Sequence, residues 1–297
     1  MKCFSLFSGI GGFDLALTRM GHEIVGACEI DKYARSVYTK HFPGVTIYND
    51  ATTLQPESLP HFEMLCAGFP CPDFSTSGKR QGFDTPRGRL FFEIIRIAKT
   101  KKPSYIFLEN VTGLLNHKKG NTFRKMLETL DEVGYDAEWQ VVNGKHWLPQ
   151  NRERVIIIGH LRGKRTKQIF PIGEIPEMDD RKETTSNEIT RALSAGGHSG
   201  GLHSEMTMIM LSNTKANIKQ RVQKRKETWC LDTSGSYFAI KDLVGHIRRL
   251  TPLECERLQG FPDGWTNGLS DTQRYKCLGN AVMVPKIEYI VKEFTNC

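Results

Sequence analysis

Met64-Leu65-Cys66-Ala67-Gly68-Phe69-Pro70-Cys71-Pro72-Asp73-Phe74-Ser75 reads as a buried strand running into a rigid loop. The first four residues are apolar and bounded by turn formers, the pattern of a strand covered on both faces. A cysteine between two prolines continues neither a helix nor a central ladder, so Cys71 belongs in a loop at the strand's C-terminal end. In an open α/β sheet that edge is where ligands bind. A loop cysteine by itself ordinarily has no role, so the segments on either side decide its meaning.

Toward the N-terminus, Lys2 to Phe7 reads as a strand, Ser8-Gly9-Ile10-Gly11-Gly12 as a glycine-rich turn and Phe13 to Met20 as a helix. Glycines let the backbone approach a ligand closely, and a helix N-terminus offers oriented N–H groups. A second strand, Ile24 to Cys28, ends in Glu29-Ile30-Asp31. An acidic residue about 20 positions after a glycine turn, at a strand end, is placed to bind ribose hydroxyls. The spacing points to an adenosine-containing cofactor without separating nicotinamide from S-adenosylmethionine. A helix over Lys32 to His41 and a short strand at Thr46 to Tyr48 lead to Asp50, which also reads as a cap ahead of Thr52 and Thr53.

Toward the C-terminus, residues 77–89 form a long, polar, basic, glycine-rich loop, a kind usually either functional or disordered. Leu90 to Lys101 has apolar residues at Leu90, Ile94 and Ile97 and reads as a helix. Tyr105 to Leu108 is an apolar strand ending in Glu109, beside the strand that ends at Cys71. A helix from Asn121 or Thr122 through Val133 precedes strands over Asp136 to Asn143 and Val155 to Gly159. Their connection carries Pro149, Gln150, Arg152 and Arg154. From His160 the α/β rhythm stops, and residues 160–245 hold short segments with a basic run at Lys215, Lys219, Arg221, Lys224, Arg225 and Lys226. Such runs suit phosphate contacts, although a charge run is ordinarily a solvated face. Residues 195–201, four of them glycines, suit a recognition loop or a linker equally. After Arg248-Arg249-Leu250, Thr251, Pro252 and Glu254 make a capping box for a helix that Gly260 stops; a last helix spans Pro285 to Phe294.

A chain of 297 residues suggests one large or two modest domains, and 39% hydrophobic with 25% charged residues is ordinary for a soluble protein. No apolar run reaches the ~18 residues that span a bilayer, so no membrane partner is expected, and there is no secretory signal pattern. Eight scattered cysteines without a C-x-x-C pair argue against zinc or a disulfide framework, so no metal and a reducing, cytoplasmic compartment are expected. A net charge of +8 favours a polyanionic partner, as weak evidence on its own.

Five segments together, the Cys71 loop, Phe4 to Gly12, Phe107 to Val111, Gln150 to Arg154 and Gly279-Asn280-Ala281-Val282, resemble the cytosine-C5 DNA methyltransferase family in its motif order. Only residues 160–245 lack an alignable counterpart. The resemblance implies an α/β fold: a Rossmann-like S-adenosylmethionine-dependent methyltransferase domain with a mixed seven-stranded sheet, plus a smaller target-recognition domain. The expected divisions are a catalytic, cofactor-binding domain at 1–160, a recognition domain at 161–270 and a segment at 271–297 returning to the catalytic domain. S-adenosyl-L-methionine is the implied cofactor, held by Phe7, Gly9, Gly11, Gly12, Glu29, Ile30, Asp50, Leu90 and Asn280. Double-stranded DNA is the implied partner, contacted by Ser75, Lys79, Arg80, Gln150, Lys224, Arg225 and Arg249. A monomer is expected, near the nucleoid, with a cognate restriction endonuclease as a candidate partner.

The implied chemistry suits the residues. Cytosine C5 is a poor nucleophile until a thiolate, here from Cys71, adds at C6. Glu109 is implied at N3 and the exocyclic amine, and Arg154 with Arg152 at O2, where negative charge develops. C6 is inaccessible inside a duplex, so the base must be flipped out. One departure is Pro72, where the family usually has Gln; proline lacks both the backbone donor and the amide, so DNA contacts there should differ. An RNA cytosine methyltransferase would share the fold, but the Cys-Phe-Thr signature of its tRNA-methylating branch is missing. A catalytically silent relative should have lost Cys71, Glu109 or the arginines.

Overall fold

The computed structural model describes residues 1–69, 89–172 and 250–295, together with the backbone of short strands at 207–210, 224–225, 228–229, 238–241 and 247–249. The chain alternates strand and helix: β1 (Lys2–Leu6), α1 (Gly12–Arg19), β2 (Glu23–Cys28), α2 (Lys32–His41), β3 (Ile47–Tyr48), β4 (Met64–Ala67), α3 (Leu90–Lys101) and β5 (Tyr105–Val111). There follow α4 (Gly113–Asn116), α5 (Asn121–Glu132), β6 (Tyr135–Asn143), β7 (Gln150–Asn151) and β8 (Glu153–Leu161). Strands β9 (Thr207–Met210), β10 (Lys224–Arg225), β11 (Thr228–Trp229), β12 (Phe238–Lys241) and β13 (Ile247–Arg249) precede α6 (Pro252–Gln259), α7 (Asp271–Asn280) and α8 (Val284–Thr295).

Seven strands form one sheet in the order β3-β2-β1-β4-β5-β8-β6. The first five run parallel, and β8 pairs antiparallel with β5, making the sheet mixed as expected. Order reverses at β1, where β2 lies on one side and β4 on the other, the kind of switch point that opens a ligand crevice at the strands' C-terminal ends. Strands β1, β4 and β5 are near-continuously buried, as expected of parallel strands covered on both faces, which is why β4 and the Tyr105–Leu108 part of β5 read as unbroken apolar runs.

The chain divides into two compact units. The first holds residues 1–142, 153–173 and 287–297; the second holds 143–152 and 174–286. The boundaries therefore differ from those expected at 160 and 270. A ten-residue excursion, 143–152, belongs to the second unit, and the chain rejoins the first only at 287. Within the first unit α8 returns to α1 and β5: Arg19 pairs with Glu288 at 2.8 Å, and the Phe294 ring lies 4.9 Å from Tyr105 and 6.0 Å from Phe107. In the second unit β9, β10, β12 and β13 form a four-stranded sheet, and β11 pairs in parallel with β7. Helix α6 begins with the expected capping box on Thr251 and Glu254 and stops at Gly260, whose φ is +80°.

Candidate active site

The crevice begins at the turn after β1. Phe7, Gly9 and Gly11 take φ of +55°, +56° and +86°. A phenylalanine in that region is strained, and such strain clusters where a backbone must meet a ligand. Gly11 is fixed by space as well: a Cβ there would lie 2.5 Å from Phe42 Cε2 and 3.2 Å from Tyr38 Cδ2. The turn is tied to β2 twice. Ser8 N–H donates to Cys28 O at 3.0 Å, and Gly9 N–H donates to Glu29 Oε2 at 2.7 Å.

Glu29 is therefore more than a strand-end acid. Its other oxygen accepts from Asp31 N–H at 2.8 Å, so one carboxylate braces the turn and the start of α2 together. Burial raises its pKa above the usual range, opposed by those two amide hydrogen bonds. Each oxygen keeps acceptor capacity for a further donor, such as a ribose hydroxyl. Next to it, Ile30 is 68% exposed, an apolar side chain held out at the strand's end, while Asp31 caps α2 by accepting from Tyr33 and Ala34 N–H. Asp50 caps a short 3-10 turn, accepting from Thr52 N–H and Oγ1–H at 2.9 and 2.8 Å. Leu90 is half-buried at the start of α3, whose core face is carried by Phe91, Ile94, Ile95 and Ile97.

Beneath the turn lies a group the sequence does not flag. Asp14, in the first turn of α1, is fully buried and accepts from Tyr38 O–H at 3.2 Å. Burial pushes its pKa up to about 7, against the lowering effect of Ser5 and Tyr38. Tyr38 therefore touches the site twice, through this bond and through its ring beside Gly11.

The second half of the crevice lies at the ends of β4 and β5. Parallel register sets Ala67 opposite Leu108, so the loop that leaves β4 starts beside Glu109. Asn110 Nδ2 donates to Phe69 O at 3.4 Å and its Oδ1 accepts from Val111 N–H at 2.8 Å. This buried asparagine anchors the chain immediately before Pro70. On the other side of β5, antiparallel register sets Arg154 opposite Val111, diagonal to Glu109 on the same face. Arg154 Nε lies 3.1 Å from Glu109 Oε1, with the two side chains 11% and 10% exposed.

Gln150 and Arg152 are placed differently from Arg154. Gln150 is fully buried and donates through Nε2 to Leu258 O. Arg152 is 2% exposed, and its guanidinium donates to Gly279 O and Ala281 O. Asn280 is the last residue of α7, a helix the sequence reading did not assign. Cys71, Ser75, Lys79, Arg80 and residues 195–201 lie outside the described residues, and Lys224, Arg225 and Arg249 are described as strand backbone alone. Among the described cysteines, burial raises the thiol pKa of Cys3 and Cys28 to about 12 and that of Cys66 well above its ordinary value.

Comparison with known proteins gives the same answer along the whole chain. The family model for C-5 cytosine-specific DNA methylase matches residues 1–296. The Type II methyltransferase M.NgoBI of Neisseria gonorrhoeae is 38% identical over 97% of this chain and 90% of its own. M.MspI of a Moraxella species is 34% identical over 99% of this chain and 70% of its own, and M.HhaI of Haemophilus parahaemolyticus is 32% identical over 98% and 93%. In fold, the chain superposes on a Spodoptera frugiperda DNMT2 mutant with a TM-score of 0.71 at 20% identity, covering 99% of both chains. An E. coli prophage putative DNA modification methyltransferase gives 0.68 at 21% identity, covering 100% of this chain and 99% of its own. With its mixed sheet switching order at β1, its braced glycine turn, its Glu109–Arg154 pair and these matches, the chain belongs to the C-5 cytosine-specific DNA methylase family.

Proposed function

We propose that this DNA cytosine-C5 methyltransferase draws its methyl group from S-adenosyl-L-methionine and activates a flipped-out cytosine through a covalent bond from Cys71 to C6. The observation that carries the reading is the Glu109–Arg154 pair at the sheet's C-terminal edge, next to the end of β4 from which the Cys71 loop departs. The Cys71 thiolate adds at C6, and the ring's electrons shift so that C5 becomes nucleophilic. Glu109 binds N3 and the exocyclic amine, supplying a proton or hydrogen bond at N3, while Arg154 faces O2 and stabilises the charge that develops there. When bound, the methyl donor would supply an electrophilic carbon that C5 takes as the S–CH3 bond breaks, leaving S-adenosylhomocysteine. Loss of the C5 proton then expels the thiolate and frees the product.

The residues of the first half of the crevice fit such a donor. The glycine turn offers backbone without side chains, Glu29 offers acceptors for ribose hydroxyls, and Ile30 offers an apolar surface for a base. Asp50, Leu90 and Asn280 join this set by family resemblance. Glu29→Ala removes the acceptor for ribose and the brace on Gly9 and Asp31 together. Calorimetry should show S-adenosylmethionine affinity reduced by about tenfold or more, the equivalent of one or two hydrogen bonds. Unchanged affinity would refute the placement.

Ser75, Lys79, Arg80, Lys224, Arg225 and Arg249 are assigned to DNA, and the segment around 161–270 to target choice, on the principle that phosphate contacts position and base contacts specify. The chain acts as a monomer in the cytoplasm, beside the nucleoid, with a restriction endonuclease as its candidate partner. Among the described residues no helix is long and apolar enough to cross a membrane. The direct test supplies the purified chain with isotopically labelled S-adenosylmethionine and either duplex DNA or tRNA. Label should enter duplex DNA at cytosines within one short sequence; label entering tRNA alone would overturn the assignment.

A further inference from the structure

Three buried side chains of the second unit spend nitrogen donors on the same kind of acceptor. Gln150 Nε2 donates to Leu258 O at 3.3 Å and Gln259 Nε2 to Leu278 O at 3.1 Å. Arg152 Nη2 donates to Gly279 O at 3.2 Å and to Ala281 O at 2.7 Å. These carbonyls lie in or just after the last turns of α6 and α7, where a helix runs out of backbone donors of its own, although Leu278 O also accepts from Ala281 N–H at 3.3 Å. A guanidinium suits that place doubly, because its positive charge complements the helix dipole and it presents its donors in a rigid plane. The backbone of Arg152 is held as well: its N–H donates to Asn143 Oδ1 at 3.2 Å and its carbonyl accepts from Gly144 N–H at 3.0 Å.

The two carbonyls that Arg152 takes stand on either side of Asn280. Arg152 gives Nη2 to these carbonyls, whereas Arg154, which gives Nη1 to its neighbour Glu153 O at 2.7 Å, sets Nε 3.1 Å from Glu109 Oε1. We propose that Arg152 is a positioning residue that fixes the backbone around Asn280 and so acts on binding of the methyl donor, not on the cytosine. The proposal rests on the reading that Asn280 helps to hold that donor.

The test uses the full chain carrying Arg152→Gln, Arg152→Lys, Asn280→Ala or the pair Arg152→Gln with Asn280→Ala. Affinity for S-adenosylhomocysteine is measured by calorimetry, kcat at saturating methyl donor, and folding by thermal melt. Arg152→Gln and Asn280→Ala should each weaken binding by about tenfold, on the scale of a lost hydrogen bond to an ordered partner. Arg152→Lys, which keeps a charged donor, should fall between wild type and Arg152→Gln. The pair should be little worse than either single change, the mark of two residues acting as one unit. A kcat lowered about a hundredfold with affinity unchanged would overturn the proposal and return Arg152 to the base. Should Arg152→Gln fail to fold, Arg152→Lys decides by the same two readouts: weakened affinity supports the proposal, and a loss of kcat alone overturns it. Unchanged affinity in Asn280→Ala would sink the Asn280 reading, whereas weakened affinity there with none in Arg152→Gln would sink the positioning role alone.

Discussion

Cys71→Ser should abolish methyl transfer, by on the order of 10,000-fold or more, while leaving affinity for DNA and for S-adenosylmethionine within a few-fold of wild type. The thiolate acts only in the covalent step, and a serine hydroxyl keeps its proton at neutral pH and is the weaker nucleophile. The described cysteines of the main sheet are poor substitutes. Cys3, Cys28 and Cys66 are buried in the sheet, and burial holds their pKa values far above neutrality, so they remain protonated. A second measurement isolates the adduct. DNA carrying fluorine at cytosine C5 lacks the proton whose loss releases the enzyme, so wild type should become trapped on it as a species stable in denaturant. Cys71→Ser should not. Near wild-type turnover in the serine variant, or trapping of both proteins, would end this mechanism.

How far the fold was legible follows from which residues carry it. Strand β4, strand β5 and helix α3 are written locally: unbroken apolar runs for the buried strands, and Ile94 and Ile97 on the buried face of a helix spanning the expected Leu90 to Lys101. The capping box at Thr251 is local too. Helix α7 escaped because its buried residues, Cys277, Leu278 and Gly279, crowd its last turn and set up no periodic stripe, and because glycine and asparagine are poor helix formers. Strand β7 escaped because two residues gain their partners from positions 228–229, far along the chain.

The site shows the same division between local and distant causes. Glu29, the glycine turn and Glu109 could be located by spacing, since strand ends and turns follow from local chemistry. Gln150 is expected at DNA and Arg152 at cytosine O2, and nothing in the sequence singles out Asp14. All three are buried, because their partners come from elements remote in sequence: Leu258, Gly279 and Ala281 for the first two, Tyr38 for the third. Target choice is less legible still, since base readout depends on how side chains are presented to a groove.

Glu109 and Arg154 should behave as one device. Glu109→Gln should lower kcat by about 100- to 1,000-fold, because the amide can still hydrogen-bond N3 but cannot supply a proton there. Arg154→Gln should cost about as much, through loss of the positive charge facing O2. Each change also leaves its partner charged and poorly solvated in a site where the two side chains are only 11% and 10% exposed. Part of every single-mutant loss therefore reflects an orphaned charge, and the double variant relieves it. The expected result is that Glu109→Gln with Arg154→Gln is far less damaging than the product of the two single effects, with a coupling of about 2 kcal/mol or more. Thermal melts separate this from instability, since a few degrees of change in Tm cannot account for a hundredfold loss at saturating substrates in protein that remains folded at the assay temperature. Strictly multiplicative effects would mean that the carboxylate and the guanidinium act independently, and the assignment of both to one cytosine ring would fail with them.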